Sequence, residues 1–177
     1  AMSVVSGSFN LFGYDGQGFT YFVLGGAPLR RVLTGKALAP LLYLLPLMIG
    51  FTLVESLIRD APLSSVLPAI LAGACVIALG VGVGSAASVL NPSDQSRVGQ
   101  RRGSFLKVFA WFMAFFTVAG IGGGIWWVAA HFTSSLVAGV VMLVVTVLVA
   151  RAILTWSGRR LEADPYVIIR KLDPRTA

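Results

Sequence analysis

The sequence predicts an all-α, polytopic integral membrane protein with four transmembrane helices. Three observations predict it. The chain is 56% hydrophobic and only 12% charged, where a soluble domain carries about 25% charged residues. Its mean hydropathy is +0.85. Four apolar runs are each long enough to cross a bilayer, which takes about 20 residues of helix. The net charge of +7 would suggest nucleic acid in a soluble protein. Here the basic residues lie between the apolar runs, so they set topology, and no nucleic-acid partner is expected.

The expected spans are 37–57, 66–90, 105–130 and 134–156. Pro40 and Pro46 fall inside the first and Pro68 opens the second; each removes a helical N–H and favours a kink. The second carries Gly80, Gly82, Gly84, Ser85 and Ser88, small residues that let helix backbones approach closely. The third carries "GIGGG", in which Gly120, Gly122, Gly123 and Gly124 form a candidate hinge, a re-entrant break or a close-packing surface. Trp126, Trp127 and Trp156 stand near helix ends, as an aromatic belt places them. We divide the chain into 1–36, the end of a preceding span plus an interfacial segment, 37–157, the four spans, and 158–177, a polar tail.

Basic residues alternate between rich and poor loops. Arg30, Arg31 and Lys36 precede the first span; Arg59, offset by Glu55 and Asp60, follows it. Arg97, Arg101, Arg102 and Lys107 precede the third, His131 alone follows it, and Arg159, Arg160, Arg170, Lys171 and Arg175 follow the fourth. The positive-inside rule then places both ends and the middle loop in the cytoplasm.

No catalytic constellation is visible. The lone His131 excludes a multi-histidine metal site or a triad within the chain, and the single Cys75 reads as a packing residue. Glu55 and Arg151 lie near helix ends, where their stems reach an interface. "GVGVGS" lacks the lysine of a phosphate loop, and "GYDGQG" has too few oxygen ligands for calcium. No enzyme activity, metal or cofactor is therefore expected of this chain.

The stretch before the first span has its own organisation. Ala1 to Phe9 is apolar without a basic start and reads as the tail of an earlier span. Gly13, Gly16 and Gly18 suit a turn, and Asp15 is placed to cap a following helix. Phe19, Tyr21, Phe22 and Leu24 form an apolar stretch that enters the lipid boundary or packs on the bundle. "GGAP" makes a turn, and Leu29 to Leu33 begins a short helix carrying Arg30 and Arg31.

"NLFGYDGQGF" followed by "APLRRVLTGKALA" resembles the permease subunit of type-2 ATP-binding-cassette exporters. The matching positions are Asn10, Phe12, Gly13, Asp15, Gly18, Phe19, Pro28, Arg30, Arg31, Gly35 and Lys36. The middle loop "ASVLNPSDQSRVGQRRGS" follows the same habit, with a proline and then basic residues before the next span. "LGGAP" departs from the family, where Ser-Pro is usual. The resemblance implies a six-helix permease of which this chain supplies the last four helices. It implies a dimer with a second permease copy or half, and ATP bound and hydrolysed on a separate cytoplasmic ATPase. The segment from Asn10 to Lys36 would couple to that ATPase, in the cytoplasmic membrane of a bacterium. The apolar spans then suit a hydrophobic or amphiphilic substrate. Two other readings compete: a membrane scaffold or assembly factor with no transport role, and a membrane-embedded lipid-modifying enzyme.

Overall fold

In the computed structural model, residues 18–90, 102–166 and 169 are described. Nearly all of them are helical, and none of the described residues lies in a strand. A short helix, α1 (Gly18–Leu24), is followed by four long ones: α2 (Leu29–Ile58), α3 (Leu63–Leu90), α4 (Arg102–Phe132) and α5 (Ser135–Ala163). All four long helices have the length and apolarity to cross a membrane.

Two helices extend by more than a turn beyond the expected spans. α2 starts at Leu29, so Arg30, Arg31 and Lys36 ride on the spanning helix itself instead of on a separate short one. The reason is a buried stripe, Leu29, Leu33, Ala37 and Pro40, whose spacing of three to four residues keeps one face on the bundle. α5 likewise continues past Trp156 to Ala163, with Ser157, Gly158 and Leu161 buried. Pro68 lies beyond the first turn of α3 instead of opening it. α2 runs through Pro40 and Pro46, neither of which has a backbone N–H to give to the helical ladder.

The turns have readable chemistry. α1 ends with Ala27 N–H donating to the Phe22 carbonyl at 3.0 Å and Gly26 N–H to that of Val23 at 3.2 Å. Gly26 takes φ +66°, so this is a Schellman stop with glycine at the left-handed position. α2 ends the same way, with Ala61 N–H on the Ser56 carbonyl at 2.9 Å. There the left-handed residue is Asp60, at φ 48°. Ser134 caps α5, its Oγ accepting from the Val137 N–H at 3.3 Å.

α5 packs most extensively on α3. The contact rests on missing side chains: a Cβ at Gly82 would stand 3.0 Å from the Ala150 Cα, and one at Gly139 would stand 2.9 Å from Leu71 Cδ1. Gly82, Gly84, Ser85 and Ser88 are all buried, so the small face of α3 is the helix interface expected of it. Ser85 and Ser88 return their hydroxyls to the carbonyls of Val81 and Gly84, so neither is left unpaired in an apolar setting. Cys75 is half-buried and hydrogen-bonded with Thr146 across the same interface. α4 joins through Phe115, which is buried with Leu79 and Ala87. Large apolar side chains cover the outside of the long helices, among them Leu42, Phe51, Leu57, Trp127 and Leu148. In water such a surface would drive aggregation; against acyl chains it costs nothing.

Candidate functional site: the elbow at the head of the bundle

The sequence-predicted segment folds into an elbow, α1 and the start of α2, seated on the ends of α3 and α5. Phe19 is its anchor. It is 0% exposed and packs with Leu29 and Leu33 of α2, Val89 of α3 and Leu161 of α5. Val23, Leu154 and Ile169 close around this cluster. The opposite face of α1 turns outward, with Tyr21 78% and Leu24 74% exposed. One short helix therefore faces the bundle with Phe19 and its surroundings with an aromatic and a leucine. That arrangement suits a helix lying at a membrane boundary.

A polar contact fixes the other arm. The first turn of α2 has Pro28 as its N-cap, which makes no side-chain cap bond. Glu162 of α5 takes that place from a distance: the Arg30 backbone N–H donates to its Oε1 at 3.3 Å. A carboxylate at a helix N-terminus is favourable both as acceptor and against the macrodipole. The Arg30 stem lies along the α5 backbone at Gly158, where an added Cβ would meet its Cγ at 2.9 Å. Ser157 is buried next to it with its hydroxyl unpartnered. Together Ser157 and Gly158 form the low spot on α5 into which α2 fits.

Arg30 and Arg31 are both exposed, in the first turn of a helix. Cations there oppose the macrodipole, so helix stability does not account for them. Lys36 is half-buried one turn further on. Pro28 is exposed, and Gly18 is the first residue of α1. The structure thus brings Phe19, Pro28, Arg30, Arg31 and Lys36 into one region. Asn10, Phe12, Gly13 and Asp15 lie outside the described residues, and so does the capping bond expected of Asp15. Sequence reasoning missed Gly158, Leu161 and Glu162, because it ended the last helix at Trp156. The signal was present: Leu154, Ser157, Gly158 and Leu161 continue a helical stripe of small and apolar residues.

The glycine-rich part of α4 forms a second candidate. The helix is continuous from Arg102 to Phe132, straight through Gly120, Gly122, Gly123 and Gly124. Gly122 faces Met142, whose Cε would lie 3.6 Å from an added Cβ. Gly120, Gly123 and Gly124 face open space. Gly124 lies in an open apolar groove of about 500 Å³ with Ile121, Ile125, Val128 and Ala129.

At the opposite end of the bundle Glu55 and Arg59 pair at 2.8 Å, one helical turn apart and exposed. His131 lies against Trp127 with ring centroids 5.0 Å apart. Among the described residues no three His, Cys, Asp or Glu side chains come together to hold a metal.

Fold and hydropathy together define the class, an all-α polytopic membrane protein. No protein-family model, curated protein or solved structure matches the chain.

Proposed function

We propose that the chain is the membrane-spanning permease part of an ATP-driven exporter of the ATP-binding-cassette type. It works as a dimer, with ATP hydrolysed on a separate cytoplasmic ATPase, and moves a hydrophobic or amphiphilic substrate across the cytoplasmic membrane of a bacterium. Both ends of the chain lie on the cytoplasmic side, so the elbow faces the ATPase. The observation that carries this reading is the seating of the elbow. Phe19 binds α1 to the ends of α2, α3 and α5, and Glu162 ties α5 to the first turn of α2. A push on α1 therefore reaches three spanning helices at once, as a rigid-body transition requires. Arg30 and Arg31 stay exposed beside it and are free to meet an acidic surface or anionic headgroups. The apolar span surfaces suit a substrate that partitions from lipid.

The test is a cross-link in isolated membranes. Asp15 or Arg31 is changed to Cys, with Cys75→Ser as background, and linkage to a neighbouring ATPase is followed with and without ATP. A link whose yield changes with ATP supports coupling. Failure to link to any ATPase from several positions between Asn10 and Lys36 would sink the reading. A scaffold or assembly role would then lead, since the open glycine face at Gly120, Gly123 and Gly124 is a surface on which another helix could pack closely.

A further inference from the structure

α5 leaves its apolar run at Trp156 and meets Arg159 and Arg160 within the next turn. Residues three and four apart share a helix face, so the two arginines flank the column beneath the indole. Trp156 is 46% exposed, and the Arg160 guanidinium carbon lies 5.7 Å from its ring centroid. Both arginines are exposed as well. The nearest acid along the helix, Glu162, is turned to the α2 side, where it accepts the Arg30 backbone N–H. Asp164 follows just beyond the helix end. The Glu55–Arg59 ion pair lies at the far end of the bundle.

A ligand for this face needs an apolar body beside the indole and a net negative head at the level of the guanidinium groups. We propose that Trp156, Arg159 and Arg160 form a binding site for an anionic phospholipid. Its glycerol region lies against Trp156, and its phosphate is held by the arginines. Indoles settle at headgroup depth, and guanidinium groups bind phosphate through paired N–H donors. A zwitterionic lipid carries its own cation beside the phosphate and gains less from the pair. The site depends on the chain crossing a membrane and is independent of the exporter reading.

The test uses Trp156 as its reporter. The chain has four tryptophans; Trp111, Trp126 and Trp127 are replaced by Phe, and the protein is placed in phosphatidylcholine vesicles. Brominated phosphatidylglycerol is titrated in one series and brominated phosphatidylcholine in another. The anionic lipid should quench Trp156 at a lower mole fraction, by about fivefold for each arginine at the surface. The preference should fall with added salt. Arg160→Gln should reduce it about fivefold, Arg159→Gln with Arg160→Gln should abolish it, and Arg160→Lys, which keeps the charge but loses the paired donors, should fall between the parent and Arg160→Gln. Arg59→Gln, at the opposite end, should leave it unchanged. Equal quenching by the two lipids, or a preference that survives the double replacement, overturns the proposal. So does displacement of the lipid by soluble glycerol phosphate, which would mark a site for free phosphate. If the tryptophan replacements prevent folding, native mass spectrometry of the unaltered chain and its double-arginine variant gives the same comparison. Equal retention of phosphatidylglycerol by both then overturns it. None of these readouts involves an ATPase, so the cross-link and the lipid test fail separately.

Discussion

Phe19→Ala should release α1 from the bundle without unfolding the bundle itself. The ring is fully enclosed by Leu29, Leu33, Val89 and Leu161. In soluble cores such a truncation costs about 3–5 kcal/mol. Here the alternative state places α1 at the lipid boundary, where the ring retains part of its transfer free energy. We take about 2 kcal/mol as the net loss of docking, which shifts the docked–undocked equilibrium about thirtyfold. The assay is amide hydrogen exchange in vesicles, read at Gly25, Gly26 and Ala27, whose N–H groups close the α1 stop. Exchange there should rise by about that factor, while the amides of α3 between Val81 and Val89 stay protected. Tyr21→Ala is the control. Its ring is 78% exposed, so its removal should change exchange less than about twofold. Unchanged exchange in Phe19→Ala, or an equal response from both variants, would refute the claim that Phe19 seats the elbow.

Other perturbations read other parts of the structure. Gly82→Leu should force α3 and α5 apart, because even a Cβ there would stand 3.0 Å from the Ala150 backbone; a loss of about 1–3 kcal/mol should appear as a lowered denaturation midpoint. Asp60→Gly should stabilise the α2–α3 turn by about 1 kcal/mol, since Asp60 holds φ 48°, and thermal melting would detect it. Ser134→Ala removes the cap bond to Val137 and should cost about 1 kcal/mol, seen as faster exchange in the first turn of α5. Glu162→Ala should speed exchange at Arg30, its hydrogen-bond partner, and Glu162→Gln should restore most of the protection because the amide oxygen still accepts.

The spans were legible because run length is a direct reading of lipid as solvent. The small face of α3 was legible for a related reason: Gly82, Ser85 and Ser88 have no use in lipid except to bring another backbone near. Both extended ends were hidden by the same hydropathy argument. At Leu29 to Lys36 and at Ser157 to Ala163 polar residues interrupt the apolar run, so hydropathy stops where the helix does not. Arginine and lysine are good helix formers, and the buried stripes through Leu33 and Leu161 carry the helices onward. The contact from Glu162 to Arg30 spans 132 positions. No local pattern announces it, because an exposed glutamate near a helix end suits any soluble surface.

The glycines of α4 show why an unbroken helix does not decide between hinge and interface. In water three adjacent glycines would weaken a helix by roughly 1 kcal/mol each, largely because the open backbone can bond to solvent. In lipid that escape is closed: an N–H released from the helix finds no partner, so the helix persists through glycine. The continuity of α4 across Gly120 to Gly124 is therefore what the bilayer imposes in either case. The difference lies in the faces. Gly82 and Gly139 are filled by Ala150, Leu71 and Trp126, whereas Gly120, Gly123 and Gly124 meet nothing within 4 Å. Alanine at these three positions consequently loses no contact within the chain and gains helix propensity. A hinge would lose its bending freedom to alanine, whereas a surface for a neighbouring helix would tolerate that one methyl better than leucine.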